Sequence, residues 1–293
     1  MIANRVGAAA RAAVWGLLAG TILHFIAFAG PARAREDASA WAESGPSRAR
    51  LIWAGRISFQ ERQVAAAGIE IALEPGWRTA WRSPEGGEPP TFDWGNSANL
   101  RLAEVLWPAP SRLSLAEGAA VAGYAQRVVF PVLIAPERED LPVKLALGIT
   151  YSVCSESCKP VTARLELEIG AAEEGGQSEA VRAALELVPR VQAQGVYCPH
   201  SFIAGARRTV DGRPALVIKT AFDERATKLE LFAEAPDGHI VPPAIEQPHN
   251  ARGRSHFILT FPDEKQAMAL RGQLLRLTLA SDLGSCETTW RVK

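Results

Sequence analysis

Beyond its first thirty residues the chain has no apolar run near the eighteen or so residues that a membrane-spanning helix requires. It has no Cys/His cluster at structural-zinc spacing, no H-x-x-x-H pair and no glycine-rich phosphate loop. No Ser/His/Asp arrangement stands out either, so hydrolytic and nucleotide-binding chemistries find no support. Methionine is nearly missing: Met1 and Met268 are the only two, which excludes a methionine-rich copper site. An excess of either charge is missing too, with 32 basic against 32 acidic residues, and a chain so balanced implies no nucleic acid or anionic membrane as partner.

What is present begins with a leader. Arg5 and Arg11 precede the apolar run Val14 to Gly30 and then Pro31-Ala32-Arg33-Ala34, with no acidic residue among them. A basic start, an apolar middle and small residues at the end predict a secretory signal peptide over 1–34, with the mature chain starting near Arg35. The alternative is an uncleaved anchor. Without Arg5, Arg11 and Arg33 the exported part carries a small negative charge, and it is long enough for two domains.

Short runs of alternating apolar and polar residues, punctuated by Gly and Pro, recur at Leu51 to Ser58, Ala67 to Leu73, Leu100 to Trp107, Gln126 to Ile134, Lys144 to Val153 and Val161 to Ile169. They predict a β-sandwich over 45–171. The polar stretch after Ala171 and the amphipathic Ser178-Glu179-Ala180-Val181, with Ser178 as N-cap, predict a linker with a short helix over 172–190. Strand-like runs resume at Ala215 to Thr220, Lys228 to Ala233, His256 to Phe261, Leu274 to Ala280 and Thr288 to Val292, with turns at Asp211-Gly212 and Asp237-Gly238. The expected class is all-β: two immunoglobulin-like sandwiches, the second and smaller one over 191–293.

All four cysteines lie in the exported part, and an even number in an oxidising compartment points to disulfides. Leu145, Leu147, Ile149, Tyr151 and Val153 share one face of a strand, and Val161, Ala163, Leu165, Leu167 and Ile169 share one face of the next. With Ser155-Glu156-Ser157 as the hairpin loop, Cys154 stands opposite Cys158, Ser152 opposite Pro160 and Tyr151 opposite Val161, so the apolar faces match. Opposed residues of an antiparallel pair are close enough for a disulfide. By alternation both sulfurs fall on the less apolar face, within reach of a partner protein.

The pair is either a staple or a redox centre. On the chain-entropy model a five-residue loop contributes about 2 kcal/mol, against about 4.6 kcal/mol for a bond closing the 88-residue separation of Cys198 and Cys286. The short bond is the poorer staple. Lys159 beside Cys158 favours the reactive thiolate, with Glu156 opposing it. Cys198 and Cys286 are expected to form the structural disulfide of the second domain, the alternative being a second reactive centre in which His200 partners a thiolate or ligates a metal. A third reading of the Cys154/Cys158 pair is a Cu(I) site held by two thiolates.

The run Tyr151-Ser152-Val153-Cys154-Ser155-Glu156-Ser157-Cys158-Lys159-Pro160 also carries a resemblance. So do Gly76-Trp77-Arg78-Thr79-Ala80-Trp81-Arg82-Ser83-Pro84, Pro89-Pro90-Thr91-Phe92-Asp93-Trp94, Trp107-Pro108-Ala109-Pro110, and Gly123-Tyr124 ahead of Val128-Val129-Phe130-Pro131. In this order they resemble the N-terminal periplasmic domain of the DsbD-type disulfide reductases, in the C-x3-C branch that includes the suppressor-of-copper-sensitivity reductase ScsB. The resemblance covers about residues 50 to 170. It implies a periplasmic thiol-disulfide oxidoreductase with no organic cofactor, whose redox pair is Cys154 and Cys158. It also implies a membrane thiol-electron transporter of DsbD or CcdA type as donor and periplasmic thiol proteins as acceptors. The chain ends at Lys293 with no membrane or thioredoxin module, so the donor is expected to be separate. Tyr151, Lys159, Trp77 and Trp81 are the implied flanks of the pair, each Trp being alternatively sandwich core. The family's aromatic cap maps onto 116–124, where Tyr124 alone could serve.

Overall fold

The protein is described here from a computed structural model, which covers residues 37–83, 86–114, 120–170, 177–192, 198–236, 239–248 and 253–293. The expected leader, the Glu173–Gly176 stretch and the Asp237-Gly238 turn lie outside the described residues. Among those described, no helix is long and apolar enough to cross a membrane.

In chain order the first part comprises β1 (Ala42–Ser44), β2 (Ser47–Phe59), β3 (Arg62–Leu73), β4 (Arg78–Ala80), β5 (Thr91–Asp93), β6 (Leu100–Val105), β7 (Ser111–Ser114), β8 (Ala120–Ala125), β9 (Arg127–Pro136), β10 (Val143–Cys154) and β11 (Cys158–Ile169). One sheet runs β1-β2-β3-β9-β6. The other runs β11-β10-β4-β8-β7, with β5 also on β10. Their facing sides fill one core: Leu51, Ile69, Ile71 and Phe130 from the first, Leu145, Leu147, Ile149, Tyr151 and Leu165 from the second. The period-two pattern of β10 and β11 has this cause, since alternate residues reach the core.

The centre of the first sheet is covered on both faces. α1 (Ser178–Glu186) lays Val181, Ala184 and Leu185 over Ile52, Ala66 and Val129 on its outer side. Ser178 is not the N-cap: Gln177 occupies that position without a side-chain bond. The Gln177 amide donates to Trp53 O at 3.1 Å, and this tie to β2 sets where the helix begins.

The second part comprises β12 (Arg190–Val191), β13 (His200–Val210), β14 (Arg213–Phe222), β15 (Glu230–Glu234), β16 (Ile245–Pro248), β17 (Arg254–Thr260), α2 (Glu264–Ala269), β18 (Leu274–Ser281) and β19 (Gly284–Arg291). Its sheets run β12-β19-β18-β15 and β13-β14-β17-β16, around Leu216, Ile218, Phe257, Leu259, Leu277 and Leu279. Asp211 and Gly212, both at positive φ (48° and 76°), make the tight turn between β13 and β14, as an Asp-Gly pair favours.

The two sandwiches pack together. Trp81 meets Phe232 with ring centroids 5.6 Å apart, and Phe232 and Ala280 join the first core. Arg82 forks onto Glu234, at 2.7 and 3.0 Å, and also pairs with Glu287. Burial works against the Arg82 charge, but the two carboxylates outweigh it and hold the guanidinium above its ordinary pKa.

Candidate functional site

β10 and β11 pair in the expected register, Cys154 with Cys158, Ser152 with Pro160 and Tyr151 with Val161. The two cysteines are joined as a disulfide at the hairpin tip, their α-carbons 4.0 Å apart. On its other side Cys154 pairs with Arg78 of β4. The Arg78 guanidinium donates to Ser155 O at 2.8 Å and so holds the hairpin loop from below.

Alternation alone predicts that both sulfurs are within reach of a partner, and for Cys154 this is not so. Cys154 is 0% exposed, whereas Cys158 is exposed. The cause lies in how β4 and β5 share β10. β4 pairs with Cys154 and Val153, and β5 with Thr150 to Gly148, so they read as two pieces of one strand. Ten residues, 81–90, separate them where a continuous strand has room for about one. Of this surplus chain, Gly86 to Glu88 lie over the outward face of β10, against Ser152 and Cys154. Ser152 Oγ donates to Glu88 O at 2.9 Å, and Gly86 O lies 3.8 Å from Cys154 Sγ. Gly87 has φ +119°, and a Cβ there would stand 2.6 Å from Ser152 Oγ, 3.2 Å from Cys154 Sγ and 3.6 Å from Cys158 Sγ. Only glycine permits this approach.

Of the other residues expected to flank the pair, Trp77 and Lys159 stand together: Lys159 Nζ lies 5.5 Å from the Trp77 ring centroid. Neighbours on a strand point to opposite faces, so this ammonium is directed at the indole. Tyr151, Trp81 and Tyr124 take other positions. Tyr151 points into the core, where its hydroxyl is 2.9 Å from Ser47 Oγ and ties the sheets together; burial raises its pKa, against the Ser47 bond. Trp81, 1% exposed, faces Phe232, with the Arg82 guanidinium 4.5 Å from its ring. Tyr124 is no cap: it is buried against Phe130, and its hydroxyl donates to Pro108 O at 2.7 Å. Its place on β8, beside Thr79 of β4, turns it to the core side of the sheet. Ala116 to Ala119 of the expected cap lie outside the described residues.

Sequence reasoning passed over Arg78, Gly86, Gly87 and Ser152 as site residues. A Gly-Gly step between Pro84 and Pro89 was the signal available for two of them.

Cys198 and Cys286 are joined as a disulfide between the segment before β13 and β19, with α-carbons 6.1 Å apart. His200 is no thiolate partner. It is 1% exposed and lies at a tilt against Phe222, ring centroids 4.7 Å apart, with Nε2 at 2.8 Å from Ser281 Oγ and 3.0 Å from Gly284 O. Burial holds its pKa below the ordinary value, against the backbone bonds at Gly284 and Pro199 and the charges of Asp223 and Asp282. A lowered folded pKa means that the unfolded chain takes up the proton first. The contribution of His200 to stability is therefore complete above about pH 6.5 and is lost as pH falls below that towards the folded pKa. The His200→Gln protein should show a shallower loss of denaturant midpoint than the parent between pH 7 and 5. Equal slopes would assign the acid loss to other groups.

Residues 52–169 match the family described as thiol:disulfide interchange protein DsbD, N-terminal. The crystal structure of the N-terminal periplasmic domain of ScsB from Proteus mirabilis superposes with a TM-score of 0.65 at 19% identity, covering 87% of this chain and 98% of that one. None of the curated proteins matches the chain in sequence. With the sandwich, the hairpin register and the family match in agreement, residues 52–169 form a DsbD N-terminal-type domain.

Proposed function

We propose that this chain is a periplasmic thiol-disulfide exchange protein, relaying electrons from a membrane thiol transporter to periplasmic acceptor proteins through Cys154 and Cys158. In this reading 45–171 is the redox domain and 191–293 a companion sandwich stapled by Cys198–Cys286. The observation that carries it is the division of labour at the hairpin tip, with one sulfur exposed to a partner and the other covered. The matched family is named for thiol:disulfide interchange and the structural neighbour is a periplasmic domain, and both support the reading.

Reduction takes two exchanges. A donor thiolate attacks Cys158 Sγ, the Cys154–Cys158 bond breaks, and its electron pair leaves on Cys154 Sγ, which takes a proton. The donor's second thiolate then attacks its own mixed sulfur and releases Cys158 as thiolate, so the donor ends oxidised and the pair reduced by two electrons. Running the same steps backwards on an acceptor disulfide passes the electrons on.

The test is an equilibrium titration of the purified protein against glutathione or dithiothreitol buffers. The Cys154–Cys158 couple should have a midpoint above about −300 mV, where exchanging disulfides lie. A midpoint below that would leave a structural staple.

A further inference from the structure

The 81–90 excursion does more than occupy space, because it puts main chain in van der Waals contact with a disulfide. Gly86 is wedged on the β8 side, where a Cβ would stand 2.5 Å from Ala122 O, and Gly87 is wedged on the β10 side against Ser152 and both sulfurs. Glu88 is tied down by the Ser152 hydroxyl. The result is a strap whose described residues, Gly86 to Glu88, lie on the side of Cys154, which is 0% exposed, while Cys158 is exposed. The strap also supplies an acceptor. Gly86 O stands within hydrogen-bond reach of Cys154 Sγ and can take an S–H bond only when the pair is reduced.

We propose that Gly87 is a positioning residue that fixes the direction of exchange at this disulfide. It holds the strap against the bond so that an incoming thiolate reaches only Cys158 Sγ, and Cys154 is always the leaving sulfur, received as a thiol under Gly86 O. This rests on the exchange reading above and adds to it what makes the two sulfurs unequal. Burial does so. Lys159, occupied with Trp77, lies on the other face of the strand.

A Cβ at position 87 cannot be accommodated without shifting the strap, since Ser152 Oγ would stand 2.6 Å away and the backbone is at φ +119°. The experiment exposes the intact oxidised protein to reduced glutathione as the probe thiol, quenches rapidly with acid and maps which cysteine carries glutathione. In the parent the adduct should sit on Cys158. In Gly87→Ala the share on Cys154 should rise at least about tenfold, as expected when a covered group becomes open. Ser152→Ala keeps the glycine but frees Glu88, and it should move the distribution the same way by less. It carries the test if Gly87→Ala fails to fold. An unchanged distribution in the folded variants, or a parent adduct mainly on Cys154, would overturn the proposal. The readout needs no physiological partner: a low reduction potential with a Cys158-directed adduct would sink the exchange reading alone, and a high potential with an unshifted adduct would sink the strap alone.

Discussion

Cells carrying Cys154→Ser should accumulate a covalent complex between this protein and its membrane donor, visible on non-reducing gels and dissolved by reductant, while cells carrying Cys158→Ser accumulate much less. The reasoning starts from burial. A mixed disulfide forms at the sulfur that a partner can approach, and Cys158 is exposed where Cys154 is 0% exposed. The complex normally lasts only until the second thiol of the pair attacks it. With Ser at 154 that attack is lost, and release must wait for an outside thiol. With Ser at 158 the remaining sulfur lies under Gly86 and Gly87, where a partner's sulfur cannot reach it without displacing the strap. The expected contrast is close to all-or-none. An adduct seen only with Cys158→Ser would reverse the roles of the two cysteines. No adduct with either variant, in cells that contain the transporter, would leave the pair as a staple.

How much of this was legible in the sequence depended on element length. β10 and β11 are 12 residues each and alternate throughout, so their register could be read to the residue and placed Cys154 opposite Cys158. β4 and β5 are three residues each, too short to show a period, and the fact that they flank an excursion is a property of their shared partner β10. The strap was therefore invisible, and with it the burial of Cys154; parity along one strand says which face a cysteine takes and nothing of what crosses that face. β13 escaped for a different reason. It is an edge strand, half exposed along most of its length and bulged between Phe202 and Ala204, so it has no continuous apolar face. α2 left a signal that was not used: Asp263 caps it by accepting from the Gln266 amide at 2.8 Å, an Asp-x-x-Gln start. Tyr124 was misplaced because it was set by resemblance to the family's cap segment, while its position in a run of small apolar residues, Val121-Ala122-Gly123, fits a buried strand.

The double variant Cys198→Ala/Cys286→Ala should lose several kcal/mol of stability, about 4.6 kcal/mol on the chain-entropy model, and unfold at a temperature lower by about 10 °C or more. The bond closes a separation of 88 residues and ties the segment ahead of β13 to β19, which are in opposite sheets of the second sandwich. Its loss frees nearly that whole sandwich in the unfolded state. The effect should spread further, because Cys286 adjoins Glu287, which pairs with Arg82 of the first sandwich. Loosening β19 weakens that partly buried ion pair along with the staple, and a guanidinium largely withdrawn from water and left short of carboxylates is itself destabilising. By contrast, Cys154→Ala/Cys158→Ala opens only a loop of about five residues and should cost about 2 kcal/mol. Calorimetry of the two double variants beside the parent decides the matter. A Cys198/Cys286 loss no larger than the Cys154/Cys158 loss would mean that the long bond is not the staple of the fold.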